Sequence, residues 1–121
     1  LGDKSSGVFN GKVIVRENTK QTDADQSNKN LLLSPDALMN ANPQLEIYSE
    51  DVKCAHGSTT GQIDSEALFY MRSRGLTQRK ATELIIGGFA EEIMKSISNE
   101  NISDYINEKI NQWLRSSNND D

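Results

Sequence analysis

The chain has 121 residues, a length that sets one compact domain as the expectation. With 35% hydrophobic residues its core should be small or incomplete, and a net charge of -5, from 18 acidic against 13 basic residues, excludes a general nucleic-acid binder. Its single cysteine excludes an internal disulfide and fits a reducing, cytoplasmic setting, and no apolar run approaches the roughly 20 residues of a membrane span. The opening Leu1-Gly2-Asp3 has no methionine and no signal-peptide pattern, so the expectation is a piece of a longer protein.

The first half reads as strands. Gly7 to Val15 holds two β-prone runs around Asn10-Gly11, a strong turn pair. Arg16 to Asn30 has almost nothing to bury, and composition alone makes it a loop. Leu31 to Ser34 is followed by a turn at Pro35-Asp36. Pro43 to Cys54 alternates at Leu45, Ile47 and, after a break, Val52, which is the period-two strand signal. Three apolar patches therefore recur near Ile14, Leu32 and Ile47. A parallel β-solenoid and an antiparallel meander both produce that loose repeat.

The second half reads as helices, with the boundary near residue 64. Asp64 is placed to cap a helix that stops at Gly75, and Thr77 to cap a second one running to Ile97. Ala81, Ile85, Phe89, Ile93 and Ile97 form its i, i+4 row, widened by Ile86, Ala90 and Met94. Gly87-Gly88 inside this helix cost about 1 kcal/mol each against alanine and suggest a kink or the close approach of another backbone. Ser103 is read as the cap of a third helix carrying Ile102, Ile106, Ile110 and Leu114. The polar end, 116–121, is expected to be disordered.

The only cysteine and the only histidine lie in "DVKCAHGSTTGQID", Asp51 to Asp64. In a strand, Cys54 and His56 point to one face, which brings a thiolate and an imidazole within reach of one metal or cluster. Two ligands do not close a site. A small buried Cys54 beside a hydrogen-bonding His56 is the plainer alternative. A Cys/His nucleophile needs a tighter pair and a third orienting group. The Gly57 to Gly61 segment lacks the lysine of a phosphate loop. Lys53, Arg72, Arg74, Arg79 and Lys80 are basic, and charges at helix ends are ordinarily solvated faces.

Four stretches together are specific: "LGDKSSGVFNGKV", "DQSNKNLLLSPDA", "PQLEIYSEDVKCAHGSTTGQIDSEALFYMRSRGL" and "ATELIIGGFAEEI". In this order they resemble the SufB/SufD family of iron-sulfur cluster assembly scaffolds over nearly the whole chain. Ala55 and Gly57 around His56 are similar to the SufD branch rather than to SufB, which carries acidic residues there. The resemblance implies an α+β chain: the terminal rungs of a right-handed parallel β-helix over residues 1–63, then a C-terminal helical subdomain of about three helices over 64–115. It also turns Arg16 to Asn30 into corners and short strands.

The same resemblance implies a non-enzymatic scaffold that works with SufB and with the SufC ATPase. His56 would be an iron ligand, and Cys54 a second candidate, in a nascent iron-sulfur cluster site shared with SufB. The helices, at Arg72, Arg74, Gly87 and Gly88, would contact SufC. No cluster would be held stably by this piece alone. The piece would self-associate through its cut end near Val8, Phe9, Val13 and Val15, and neither nucleic acid nor membrane is implied. Two other readings remain beside it: a solenoid interaction module with a structural His56, and a Cys54-dependent sulfur-transfer enzyme.

Overall fold

The computed structural model describes residues 1–116. Its first unit, Leu1–Gln62, is made of four strands: β1 (Ser6–Val15), β2 (Thr22–Leu32), β3 (Leu38–Ile47) and β4 (Val52–Gln62). No strand pairs with its neighbour in sequence. β1 runs parallel to β3, with Ser6 opposite Leu38 and Val15 opposite Ile47. β2 runs parallel to β4, with Thr22 opposite Val52 and Leu32 opposite Gln62. The chain thus returns to the same ladder about thirty residues later, and the antiparallel meander is ruled out, because parallel partners need a long connection rather than a hairpin.

The connections stack in the same way. Asn18 and Gln21 adopt left-handed backbone (φ 61 and 53). Ser49 Oγ donates to the Thr19 carbonyl at 2.6 Å, and the Gln21 amide donates to the Asp51 carboxylate at 3.2 Å. One corner therefore sits on the previous corner. Pro35-Asp36 makes the expected turn.

Two sequence expectations fail here. Asn10-Gly11 is not a turn: both residues lie inside β1, opposite Asn42 and Pro43. Gly11 instead marks a close approach, since a Cβ there would collide with the Gln26 side-chain amide and lie 2.7 Å from the Phe9 ring. The composition-based loop at Arg16 to Asn30 also fails, because β2 begins at Thr22. Its residues alternate like any strand, with Ala24, Gln26, Asn28 and Asn30 partly covered and Asp23, Asp25, Ser27 and Lys29 exposed. Apart from Ala24, the covered side chains from Thr22 to Asn30 are polar, so apolar periodicity could not reveal them.

The second unit begins at Ile63 and holds α1 (Ser65–Ser73), α2 (Gln78–Met94) and α3 (Glu100–Ser116). Asp64 caps α1 by accepting from the Glu66 and Ala67 amides. Gly75, at φ 91, ends it: its own amide reaches the Arg72 carbonyl at 3.0 Å and the Leu76 amide reaches Met71 at 3.3 Å. That double bond is the Schellman closure, which a glycine enters without strain. Thr77 caps α2 through the Lys80 amide. The helix stops at Met94, short of Ile97, and buries Ala81 and Met94, while Ile93 faces outward.

α3 starts earlier than expected. Asn99 accepts from the Asn101 and Ile102 amides, so Asn99 is its cap and Ser103 lies inside the helix. Leu114 is its buried residue, whereas Ile102 is half exposed. α2 runs unbroken through Gly87-Gly88, and a Cβ added at either would meet nothing within 4 Å. Neither a break in the helix nor a close backbone is found there among the described residues. The expected disordered tail, 116–121, falls outside the described residues except for Ser116, which closes α3. Among the described residues, four strands in two parallel pairs followed by three helices make this an α+β chain.

Candidate functional site

β4 carries the chemistry-bearing residues. Strand alternation puts Val52, Cys54, His56, Ser58 and Thr60 on one face. Val52 and Cys54 are partly covered, and from Ala55 onward every residue is exposed. Cys54 is a free thiol opposite Ala24, and His56 stands opposite Gln26. Same-face neighbours two apart on a strand are separated by about 6 to 7 Å at Cα. That spacing suits two ligands of one cluster and is too wide for a thiolate held by an imidazole.

The face continues as a polar ladder. Ser58, opposite Asn28, donates its Oγ to Asn28 Oδ1 at 3.1 Å. Asn30, opposite Thr60, donates to Asn28 Oδ1 at 2.7 Å, to the Thr59 carbonyl at 3.1 Å and to Thr60 Oγ1 at 3.4 Å. Sequence reasoning missed this row. The signal was the polar spacing Gln26, Asn28, Asn30 against Ser58 and Thr60, which becomes legible only when the parallel register is known.

Among the described residues no group of three or more His, Cys, Asp or Glu side chains is placed to hold a metal ion. The donor set at β4 is one sulfur and one nitrogen. A tetrahedral thiolate or imidazole site takes four ligands, so these two can form half of one at most.

The four helical candidates are not gathered into one site. Gly87 and Gly88 line a cleft of about 450 Å³ between α2 and α3, with Leu84, Ile110 and Leu114 at its apolar wall. Arg72 lines a different cleft, of about 420 Å³, beside Phe69, Leu76 and Thr77. Arg74 lines neither; its guanidinium lies 5.3 Å from the Tyr70 ring centre and donates to the Tyr70 hydroxyl at 3.2 Å. Phe69 and Tyr70 are among the most exposed large side chains of this unit, at 74% and 59%. No described helix is long and apolar enough to cross a membrane.

Stacked parallel ladders that return at about thirty residues, with a thiol and an imidazole on one face of the last strand, define a repeating β scaffold. Residues 1–89 match the family described as SUF system FeS cluster assembly, SufBD core domain, and the chain belongs to that family. Over 114 residues it is 42% identical to the iron-sulfur cluster assembly protein SufD of Escherichia coli, covering 94% of this chain and 27% of that protein. A SufBD family protein of Synechocystis is 44% identical over 97 residues, covering 80% of this chain and 21% of its own length. SufD of Bacillus subtilis is 32% identical over 102 residues, covering 84% and 23%. The chain is SufD-like, and it spans about a quarter of the length of these relatives.

Proposed function

We infer that this chain is part of a cytoplasmic scaffold subunit for iron-sulfur cluster assembly, and that Cys54 and His56 offer half of a ligand set to a nascent cluster. A SufB-type partner supplies the other half. The cluster is cargo here and is passed on. The carrying observation is that Cys54 and His56 share one face at the point where β4 becomes fully exposed, with two donors and, among the described residues, no third. His56 is the stronger ligand position because it is exposed, while Cys54 is partly covered. In this reading the two ladders are the last rungs of a right-handed parallel β-helix.

A structural role for His56 is disfavoured by its exposure and by its ring making no hydrogen bond among the described residues. A sulfur-transfer enzyme is disfavoured because Cys54 has neither a paired base nor an orienting group beside it. The test is His56→Ala in the full-length protein. It should leave folding and co-purification with SufB and SufC intact and reduce cluster output by tenfold or more. Unchanged output would return His56 to a structural role. Cys54→Ser should do less damage.

The helical unit is proposed as the docking surface for the SufC ATPase. The support is that Gly87 and Gly88, costly in a helix, have open space around them instead of an internal contact. Gly88→Leu should weaken SufC binding more than it lowers the melting temperature. A fall in stability with binding unchanged would place the contact elsewhere.

A further inference from the structure

The polar ladder on the inner face of β2 and β4 has three successive rows. Two of them are closed by side chains: Asn28 with Ser58, and Asn30 with Thr60. The third row is Gln26 with His56. Registered neighbours on parallel strands lie about 4.8 Å apart with their side chains on the same face, within reach of a glutamine and an imidazole. Yet Gln26 Oε1 is buried and has no hydrogen-bond partner among the described residues. An acceptor shut away from water in this state is one that the fold has reason to pair.

The Gln26 amide is also held in place. Its nitrogen packs against Gly11 of β1, where any Cβ would collide with it. The missing side chain at Gly11 is what lets a glutamine fit between β1 and β2. The amide kept there, with a spare carbonyl, shares its row with an imidazole that makes no hydrogen bond among the described residues, and rotation of the His56 side chain would bring the ring to it.

We propose that Gln26 is a positioning residue for His56: its carbonyl accepts the N–H of the near ring nitrogen, which fixes the tautomer and leaves the far nitrogen's lone pair free for a metal. This rests on the shared-site reading above. Imidazoles that ligate metals ordinarily donate their other N–H to an acceptor of this kind. A neutral amide adds less basicity to the ring than a carboxylate does, which suits a ligand that must release its cargo.

The test uses the full-length protein, with cobalt(II) as the probe metal. In the wild type, ¹⁵N spectra of the His56 ring, assigned by loss of its signals in His56→Ala, should show one dominant neutral tautomer. Gln26→Leu should give a mixture of tautomers and bind cobalt about tenfold more weakly, with little change in melting temperature. Gln26→Glu keeps an acceptor and should restore the single tautomer. Gly11→Ala, which crowds the amide without removing it, should reproduce the Gln26→Leu spectrum. A Gln26→Leu protein with wild-type tautomer and cobalt affinity overturns the proposal. If His56→Ala itself leaves cobalt affinity unchanged, the shared-site reading falls, and the ¹⁵N spectra still decide whether Gln26 holds the ring.

Discussion

The two ladders of the strand unit have the same architecture and opposite linings. On β1 and β3 the covered face carries Phe9, Val13, Val15, Met39, Ala41 and Leu45. On β2 and β4 it carries Ala24 opposite Cys54, then Gln26, Asn28 and Asn30, with the facing His56, Ser58 and Thr60 left open. Burial of apolar surface stabilises by about 25 cal/mol per Å², whereas a net side-chain hydrogen bond contributes about 1 kcal/mol. One ladder therefore supplies stability, and the other spends part of its inner face on groups that can bind. Identical backbone pairing supports both, so the division of labour lies in the side chains alone.

The most damaging way to probe this contrast is at Val15, which is 4% exposed. Val15→Ala should cost about 2 kcal/mol in chemical denaturation, from lost burial and the cavity left behind. Next comes the glycine contrast. Gly11→Ala should cost about 1 to 3 kcal/mol through overpacking against Gln26 and Phe9. Gly57→Ala, at a position where nothing lies within 4 Å, should stay within about 0.5 kcal/mol. If the two alanines behave alike, the close approach at Gly11 is not what the packing implies.

On the polar ladder, Asn28→Ala removes the acceptor shared by Ser58 and Asn30 and should cost about 1 kcal/mol, half the effect at Val15. A larger loss than at Val15 would invert the comparison. The smallest effect belongs to the exposed Lys12–Glu46 pair on the outer face of β1 and β3. Its hydrogen bond to Glu46, and then the charge of Glu46, raise the Lys12 ammonium above its usual 10.5. With the folded value above the unfolded one, the pair's contribution is complete below about pH 10.5 and fades as the pH rises through the folded value. Comparing melting temperatures of Lys12→Met and wild type across that range should show the gap closing at high pH. A gap that persists would assign it to packing of the lysine stem.

The helical unit was legible nearly to the residue at α1 because local chemistry decides it. A carboxylate at Asp64 and a glycine at Gly75 act within one turn of their own position. The start of α3 was misplaced by four residues, since Asn99 and Ser103 are both competent caps and only the surrounding chain selects between them. The strands were less legible. Asn10-Gly11 has the composition of a turn, and the preference is overridden by pairing with a strand about thirty residues away. β2 was invisible to hydrophobic periodicity because its covered positions from Gln26 to Asn30 are amides. At the site, Cys54 and His56 stood out by being unique, while Gln26 had no local signature: its meaning comes from the residue opposite.

The return distance of the ladders also governs how this unit is made. β1 finds no partner in β2, and its partner within this chain, β3, is complete only at Ile47. Synthesis at about 5 to 20 residues per second puts roughly two to six seconds between the joining of Val15 and the completion of β3. Through that interval the β1–β3 pairing cannot form, while each helix downstream can form from contacts four residues apart in well under a millisecond. Folding of the strand unit is therefore the slow, non-local step.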